Sequence, residues 1–120
     1  QETAKRSNSD FLKRLRLANA ARAKIWKYTG TDADTFMATE LAEEVGEVLG
    51  AVKKLHRSRY GIVGNKKTEQ ELSQNLSEEI GDVMVCLDRL SNLFGIDIEQ
   101  VTREKFNAKS KEVGIDIFVE

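Results

Sequence analysis

Two runs of carboxylates hold the side chains best suited to chemistry: Glu40-Leu41-Ala42-Glu43-Glu44-Val45-Gly46-Glu47, and Glu78-Glu79-Ile80-Gly81-Asp82. In each run the acids recur at three- and four-residue spacing, which sets them on one face of a helix. Glu40, Glu44 and Glu47 form one row with Glu43 at its edge; Glu79 and Asp82 form another. Leu41, Val45, Val48, Leu49, Ile80, Val83 and Leu87 sit between and around them as the apolar positions of two amphipathic helices. Some acids therefore border the apolar stripe, where like charges repel and burial without a partner is costly. A bound cation would remove that cost.

One Glu-x-x-Glu alone is the ordinary exposed charge of a helix. A second cluster on its own amphipathic helix changes the reading, because antiparallel packing would bring Glu-x-x-Glu and Glu-x-x-Asp together across a bundle. Such hard oxygen donors suit Mg²⁺ or Mn²⁺ rather than zinc, and carboxylate-held Mg²⁺ typically carries substrate phosphates. A di-iron carboxylate bundle would need Glu-x-x-His pairs. The one histidine, His56, has Lys53 three residues before it and reads as a surface residue at a helix end.

The helices that must position these acids are legible. Phe11, Leu12, Leu15, Leu17, Ala18, Ala21, Ile25 and Trp26 recur at helical spacing and predict a first helix from Ser9 to Tyr28. Thr29-Gly30-Thr31-Asp32 reads as a turn, with Gly30 as a C′ glycine and Thr31 or Asp32 as the next cap. A second helix, Asp34 to Arg59, holds the first acidic run and turns basic at Lys53, Lys54, His56, Arg57 and Arg59, which suits its dipole. Thr68-Glu69-Gln70-Glu71 has capping-box spacing and opens a third helix, ended by Gly95. Asp97-Ile98-Glu99-Gln100 opens a fourth, running to Lys111. The expected fold is all-α, a four-helix-type bundle. The expected organisation is a flexible N-terminus over 1–8, one helical domain over 9–112 and a tail over 113–120.

Composition narrows the classes. With 120 residues, the chain has the length of one domain with a real core. Its 19 basic and 20 acidic residues give a formal charge of −1, which argues against nucleic-acid binding through bulk positive charge. No apolar run is long enough to span a membrane, and no signal peptide is visible, although the chain begins at Gln1. The single Cys86 excludes an internal disulfide and a cysteine zinc site, and fits a reducing, cytoplasmic compartment. No Walker-type glycine loop is present, so phosphates would be held by metal ions and side chains.

Glu43-Glu44-x-x-Glu47 followed by Glu79-x-x-Asp82 resembles the signature of the MazG-like all-α nucleoside triphosphate pyrophosphohydrolases, relatives of the dimeric dUTPases and the dCTP pyrophosphatases. Trp26 stands where that family places a first-helix aromatic, and Arg103-Glu104-Lys105-Phe106-Asn107-Ala108-Lys109-Ser110 looks like its C-terminal basic motif. The resemblance implies that Glu44, Glu47, Glu79 and Asp82 bind Mg²⁺ (or Mn²⁺ in its place). It implies that Glu43 either supports the metal-holding acids without touching the ion or helps to orient or deprotonate the attacking water, and it does not assign which acid is the general base. By the same resemblance Asn107 would help to recognise base or sugar, Lys105, Lys109 and Arg103 would meet phosphate oxygens, and Trp26 would wall the base pocket. Cys86 falls where some relatives carry an aromatic that contacts the base.

On residue type alone Trp26 is core or interface, Cys86 a small buried hydrophobe, and the basic end of the second helix a solvated terminus. Lys54 is set apart by lying on Glu47's face two turns on. The expected activity is Mg²⁺-dependent cleavage of surplus or non-canonical (d)NTPs to (d)NMP and pyrophosphate, by a homo-oligomer of two or four chains acting on a nucleotide, with no nucleic-acid or membrane partner. A phosphoribosyl-ATP or alarmone pyrophosphohydrolase is the near alternative, and a non-enzymatic helical interaction module the far one.

Overall fold

The computed structural model describes residues 2–26 and 30–120, with side chains from Asp10 onward. Its elements are α1 (Glu2–Ala23), α2 (Ala33–Arg59), α3 (Glu69–Leu93) and α4 (Ile98–Val113), with no strand among the described residues. The all-α expectation holds.

Local chemistry sets the ends. α1 starts ahead of its apolar repeat and stops before the expected Tyr28, which with Thr29 lies outside the described residues. The amides of Ile25 and Trp26 both bond the Arg22 carbonyl, at 3.0 Å each, and this turn closes the helix. Gly30 is therefore not its C′ glycine; its carbonyl accepts from the Ala33 amide at 3.1 Å at the start of α2. Asp32 takes the N-cap position without a side-chain cap bond. The other two starts follow the expected chemistry. Thr68 Oγ1 accepts from the Glu71 amide at 3.1 Å, and Asp97 Oδ1 from the Gln100 amide at 3.1 Å. α3 and α4 end on left-handed glycines, Gly95 (φ 66°) and Gly114 (φ 73°), a conformation that costs other residues more.

α2 and α3 form the main antiparallel pair and α1 lies against α3. Met37, Ala51 and Leu55 of α2, Leu72 of α3 and Ile98 of α4 are buried. The inward face of α1 is partly polar: Asn19 is buried, Leu12 and Leu15 half-buried, and Phe11 and Leu17 exposed. Of the expected stripe, Leu41, Val48, Val83 and Leu87 are half-buried, but Val45, Leu49 and Ile80 are exposed. The cause is rotational. Glu44 and Glu79 turn into the α2–α3 seam, and the second apolar row (Val45, Leu49 and Val52 on α2) turns to the outside. The radius of gyration, 17.8 Å, exceeds the roughly 14 Å of a compact chain this long.

Candidate functional site

The α2–α3 seam orders the chemistry by level. At one end Glu40 pairs with Arg89; in the middle Glu44 meets Asp82; beyond it Glu47 meets Glu79. One oxygen each of Glu44, Glu79 and Asp82 lie within 4.8 Å of one another. Glu44 and Glu79 are half-buried, and the Oε2 atom of each is closed to water with no hydrogen-bond partner among the described residues. Burial, then the charges of Glu47 and Asp82, hold the Glu44 carboxyl above the usual carboxylate range. Glu79 is raised too, first by its hydrogen bond with Glu47, then by burial and the surrounding charges. Carboxylates gathered this closely, two of them with an orphaned oxygen, suit a hard divalent cation, and all the donors are oxygen. The residues fit Mg²⁺ or Mn²⁺.

Two cavities flank the acids along the same seam. Beyond Glu47, Lys54, Lys66 and Lys67 line a cavity of about 240 Å³ with Gly64, Asn65 and Asn75. Asn65 Nδ2 donates to the Lys54 carbonyl and ties the loop to α2. At the opposite end, Arg89, Asn19 and Asn92 line a cavity of about 200 Å³ with Met37, Ala23 and Leu93. Asn75 and Arg89 each stand seven residues from Asp82, about 10 Å along α3 in either direction.

The sequence-predicted residues distribute unevenly around this axis. Glu44, Glu79 and Asp82 come together, with Glu47 at hydrogen-bonding range of Glu79. Glu43 is exposed on the same turn as Glu44. Cys86 is buried one turn beyond Asp82, its Sγ 3.6 Å from Glu40 Oε1; burial and Glu40 push its thiol up to about 11. Trp26 lies past the end of α1, two-thirds exposed, with the Arg22 guanidinium 5.5 Å from its ring, and lines neither flanking cavity. Nor do the α4 residues. Arg103 reaches Glu99 at 3.9 Å, Lys109 pairs with Glu112 at 2.8 Å, and Lys105 is exposed. Both sides of the Asn107 amide are taken by Val119: its Nδ2 donates to the Val119 carbonyl at 2.8 Å and its Oδ1 accepts from the Val119 amide at 2.7 Å.

Sequence reasoning missed the polar cluster behind the Arg89 cavity. Asp88 is fully buried, and its Oδ2 accepts from Asn19 Nδ2 at 2.9 Å and Asn92 Nδ2 at 3.3 Å. The signal was there: Cys86 and Arg89 continue Asp82's face at four and seven residues, and an adjacent Asp–Arg pair interrupts an otherwise apolar run.

Residues 33–114 match the MazG nucleotide pyrophosphohydrolase domain. The chain is 32% identical over 99 residues to the uncharacterized protein YpjD of Bacillus subtilis (strain 168), covering 76% of this chain and 84% of that one. It is 30% identical over 73 residues to the gene 37 protein of Mycobacterium phage L5, covering 61% of this chain and 60% of the phage protein. No solved structure gives a significant match.

Proposed function

The chain belongs to the MazG nucleotide pyrophosphohydrolase family, and from that premise we propose that it cleaves (d)NTPs to (d)NMP and pyrophosphate with Mg²⁺ as cofactor. The observation that carries this reading is the gathering of Glu44, Glu79 and Asp82, one oxygen of each within 4.8 Å of the others, where Glu44 and Glu79 each also keep a buried Oε2 with no partner among the described residues. Glu44, Glu47, Glu79 and Asp82 would hold the ion, which supplies Lewis acidity and neutralises phosphate charge.

The chain's own groups do the rest. Lys54, Lys66 and Lys67 receive the outer phosphates in the basic cavity at one end of the seam. Glu43 orients or deprotonates the water on the exposed side of the acid row. The water oxygen bonds to the α-phosphorus, the α–β anhydride bond breaks, and pyrophosphate leaves with the bridging oxygen. Arg103, Lys105, Asn107, Lys109 and Trp26 line neither cavity of the seam, and a part for them in substrate binding would require a neighbouring chain and the release of Asn107 from Val119. A homo-oligomer, at least a dimer, is supported by the exposed row Val45, Leu49 and Val52, a face that packing between copies would cover. We place the activity in the cytoplasmic nucleotide pool.

The test is a panel of NTPs, dNTPs, modified nucleotides and phosphoribosyl-ATP, with Mg²⁺, Mn²⁺ or EDTA, followed by ³¹P NMR. Metal-dependent appearance of monophosphate and pyrophosphate is expected. Orthophosphate release instead, or silence with folded protein, would sink the proposal.

A further inference from the structure

Val63 is 95% exposed and Ile62 50%, side by side at the turn that joins α2 to α3, and Tyr60 beside them is 71% exposed. Local chemistry holds them out. The Ile62 amide bonds the Arg57 carbonyl at 2.9 Å across Gly61 (φ 66°), which ends α2. Gly64 follows at φ 137°, in the region that favours glycine, and Asn65 Nδ2 ties the returning chain to the Lys54 carbonyl. Val63 therefore adds almost nothing to the core of its own chain. Cations surround the same turn. From Val48 to Thr68 the chain holds 6 of its 19 Lys and Arg and none of its 20 acids. Of the six, only Arg59 has an ion-pair partner among the described residues, Glu69 at 2.8 Å. The Arg57 side chain lies against Gly64, next in the chain to Val63: a β-carbon there would stand 3.5 Å from its Nη1. Lys54, Lys66 and Lys67 line a cavity with that glycine. The nearest acids in the chain beyond the turn are engaged, Glu69 by Arg59 and Glu71 by the Thr68 hydroxyl.

We propose that this turn docks on a bilayer surface rich in anionic phospholipid, with Ile62 and Val63 entering the headgroup boundary and the surrounding cations meeting lipid phosphates. The contact is peripheral and needs no membrane-spanning helix, of which the described residues hold none. Charge complementarity names the partner. Exposed aliphatic side chains without cations would suit a neutral protein face, and cations without aliphatic side chains would suit any polyanion. Together they match a surface that is apolar beneath a negative layer. Nucleic acid rewards cations and planar side chains, yet the residue farthest out is aliphatic, and the Tyr60 ring already meets His56, their centroids 4.5 Å apart. The same turn of a second copy is disfavoured, because two such turns carry like charge. Lys53, Arg57 and Arg59 lie outside the lysine cavity, so the turn keeps charge for lipid when nucleotide phosphates fill that cavity.

The experiment sediments the full chain, without nucleotide, with vesicles of phosphatidylcholine alone or of phosphatidylcholine mixed with phosphatidylglycerol, at low and high salt. Binding to the mixed vesicles is expected to exceed binding to phosphatidylcholine by at least about tenfold and to weaken with salt. The double substitution Ile62→Ser, Val63→Ser should lower it about tenfold, and Val63→Trp should raise it, with a blue shift of indole emission on vesicle binding. Both positions are exposed, so the serine variant should melt with the wild type and keep its turnover of triphosphates. If the serine variant melts early, Val63→Trp decides. No preference for mixed vesicles, unchanged binding in a folded serine variant, or no gain in Val63→Trp overturns the proposal. So does retention on duplex DNA that exceeds vesicle binding and ignores these substitutions, since the turn would then read polyanions of any kind. The measurement involves no hydrolysis, so its failure and that of the catalytic reading are separate.

Discussion

Replacing Glu44 by Gln should make the metal-free protein no less stable while weakening its response to Mg²⁺. The side chain keeps its shape and its place in the seam, so packing is preserved. What disappears is a charge held among Glu43, Glu47 and Asp82 with one oxygen unpartnered. A cation that binds only the folded wild type adds about 2.7 kcal/mol at a hundred times its Kd. For a chain of 120 residues the unfolding entropy is about 0.25 kcal/mol/K, so this corresponds to a rise in Tm of about 10 °C. If losing one ligand weakens Mg²⁺ binding tenfold, the same Mg²⁺ concentration gives Glu44→Gln only about half that rise. The assay is differential scanning calorimetry of both proteins across a Mg²⁺ titration, with EDTA as the zero. Two results would refute the reasoning. One is an equal Mg²⁺ response in wild type and variant. The other is a metal-free variant melting well below the wild type, which would make Glu44 a structural group.

Four further outcomes are expected. Glu44 and Glu79 are raised in the folded state, so the folded chain keeps protons that the unfolded chain has released. Metal-free stability should therefore fall as pH rises from the ordinary carboxylate range through the raised values, and Glu44→Gln should flatten that fall in thermal melts. Leu49 is 64% exposed in the outward row of α2, so Leu49→Glu should shift the protein toward monomer in multi-angle light scattering; an unchanged mass would count against that face as the contact. Asn107→Ala removes two exposed hydrogen bonds to Val119, and should speed hydrogen exchange of the tail while costing no more than about 2 kcal/mol. With its thiol pushed up to about 11, Cys86 should react with iodoacetamide far more slowly in the native protein than in urea at the same pH.

Helices and caps were legible because their causes are local. Thr68 and Asp97 each bond an amide three residues on, Gly95 and Gly114 each end a helix, and none of this needs the tertiary fold to be known. The acidic cluster was legible for a related reason: three- and four-residue spacing fixes a face, and two such faces on antiparallel helices have few ways to meet. The rotation of each helix about its axis was not legible. Glu44 and Val45 are neighbours, and hydrophobicity favours Val45 for the seam; the structure puts Glu44 there and leaves Val45 40% exposed. The end of α1 was missed because Ile25 and Trp26 continue the apolar repeat while their amides fold back on Arg22. Asp88 and Arg89 were missed because charged residues are usually exposed, and only tertiary contacts with Asn19 and Glu40 explain their burial.

The rotation that defeated the hydrophobic pattern ties the site to assembly. Turning Glu44 and Glu79 inward gathers acids at a cost in repulsion and desolvation, and the same turn exposes Val45, Leu49 and Val52. A single chain thus loses stability twice, through unneutralised carboxylates and an uncovered apolar row. A cation would relieve the first and a second copy of the chain the second. Because both depend on the same orientation of α2, each should favour the other: neutralising the acids holds α2 in the rotation that presents the apolar row, and covering that row resists its turning back. Mg²⁺ binding and self-association should then be linked, and by reciprocity the chain should bind Mg²⁺ more tightly at any concentration where it self-associates.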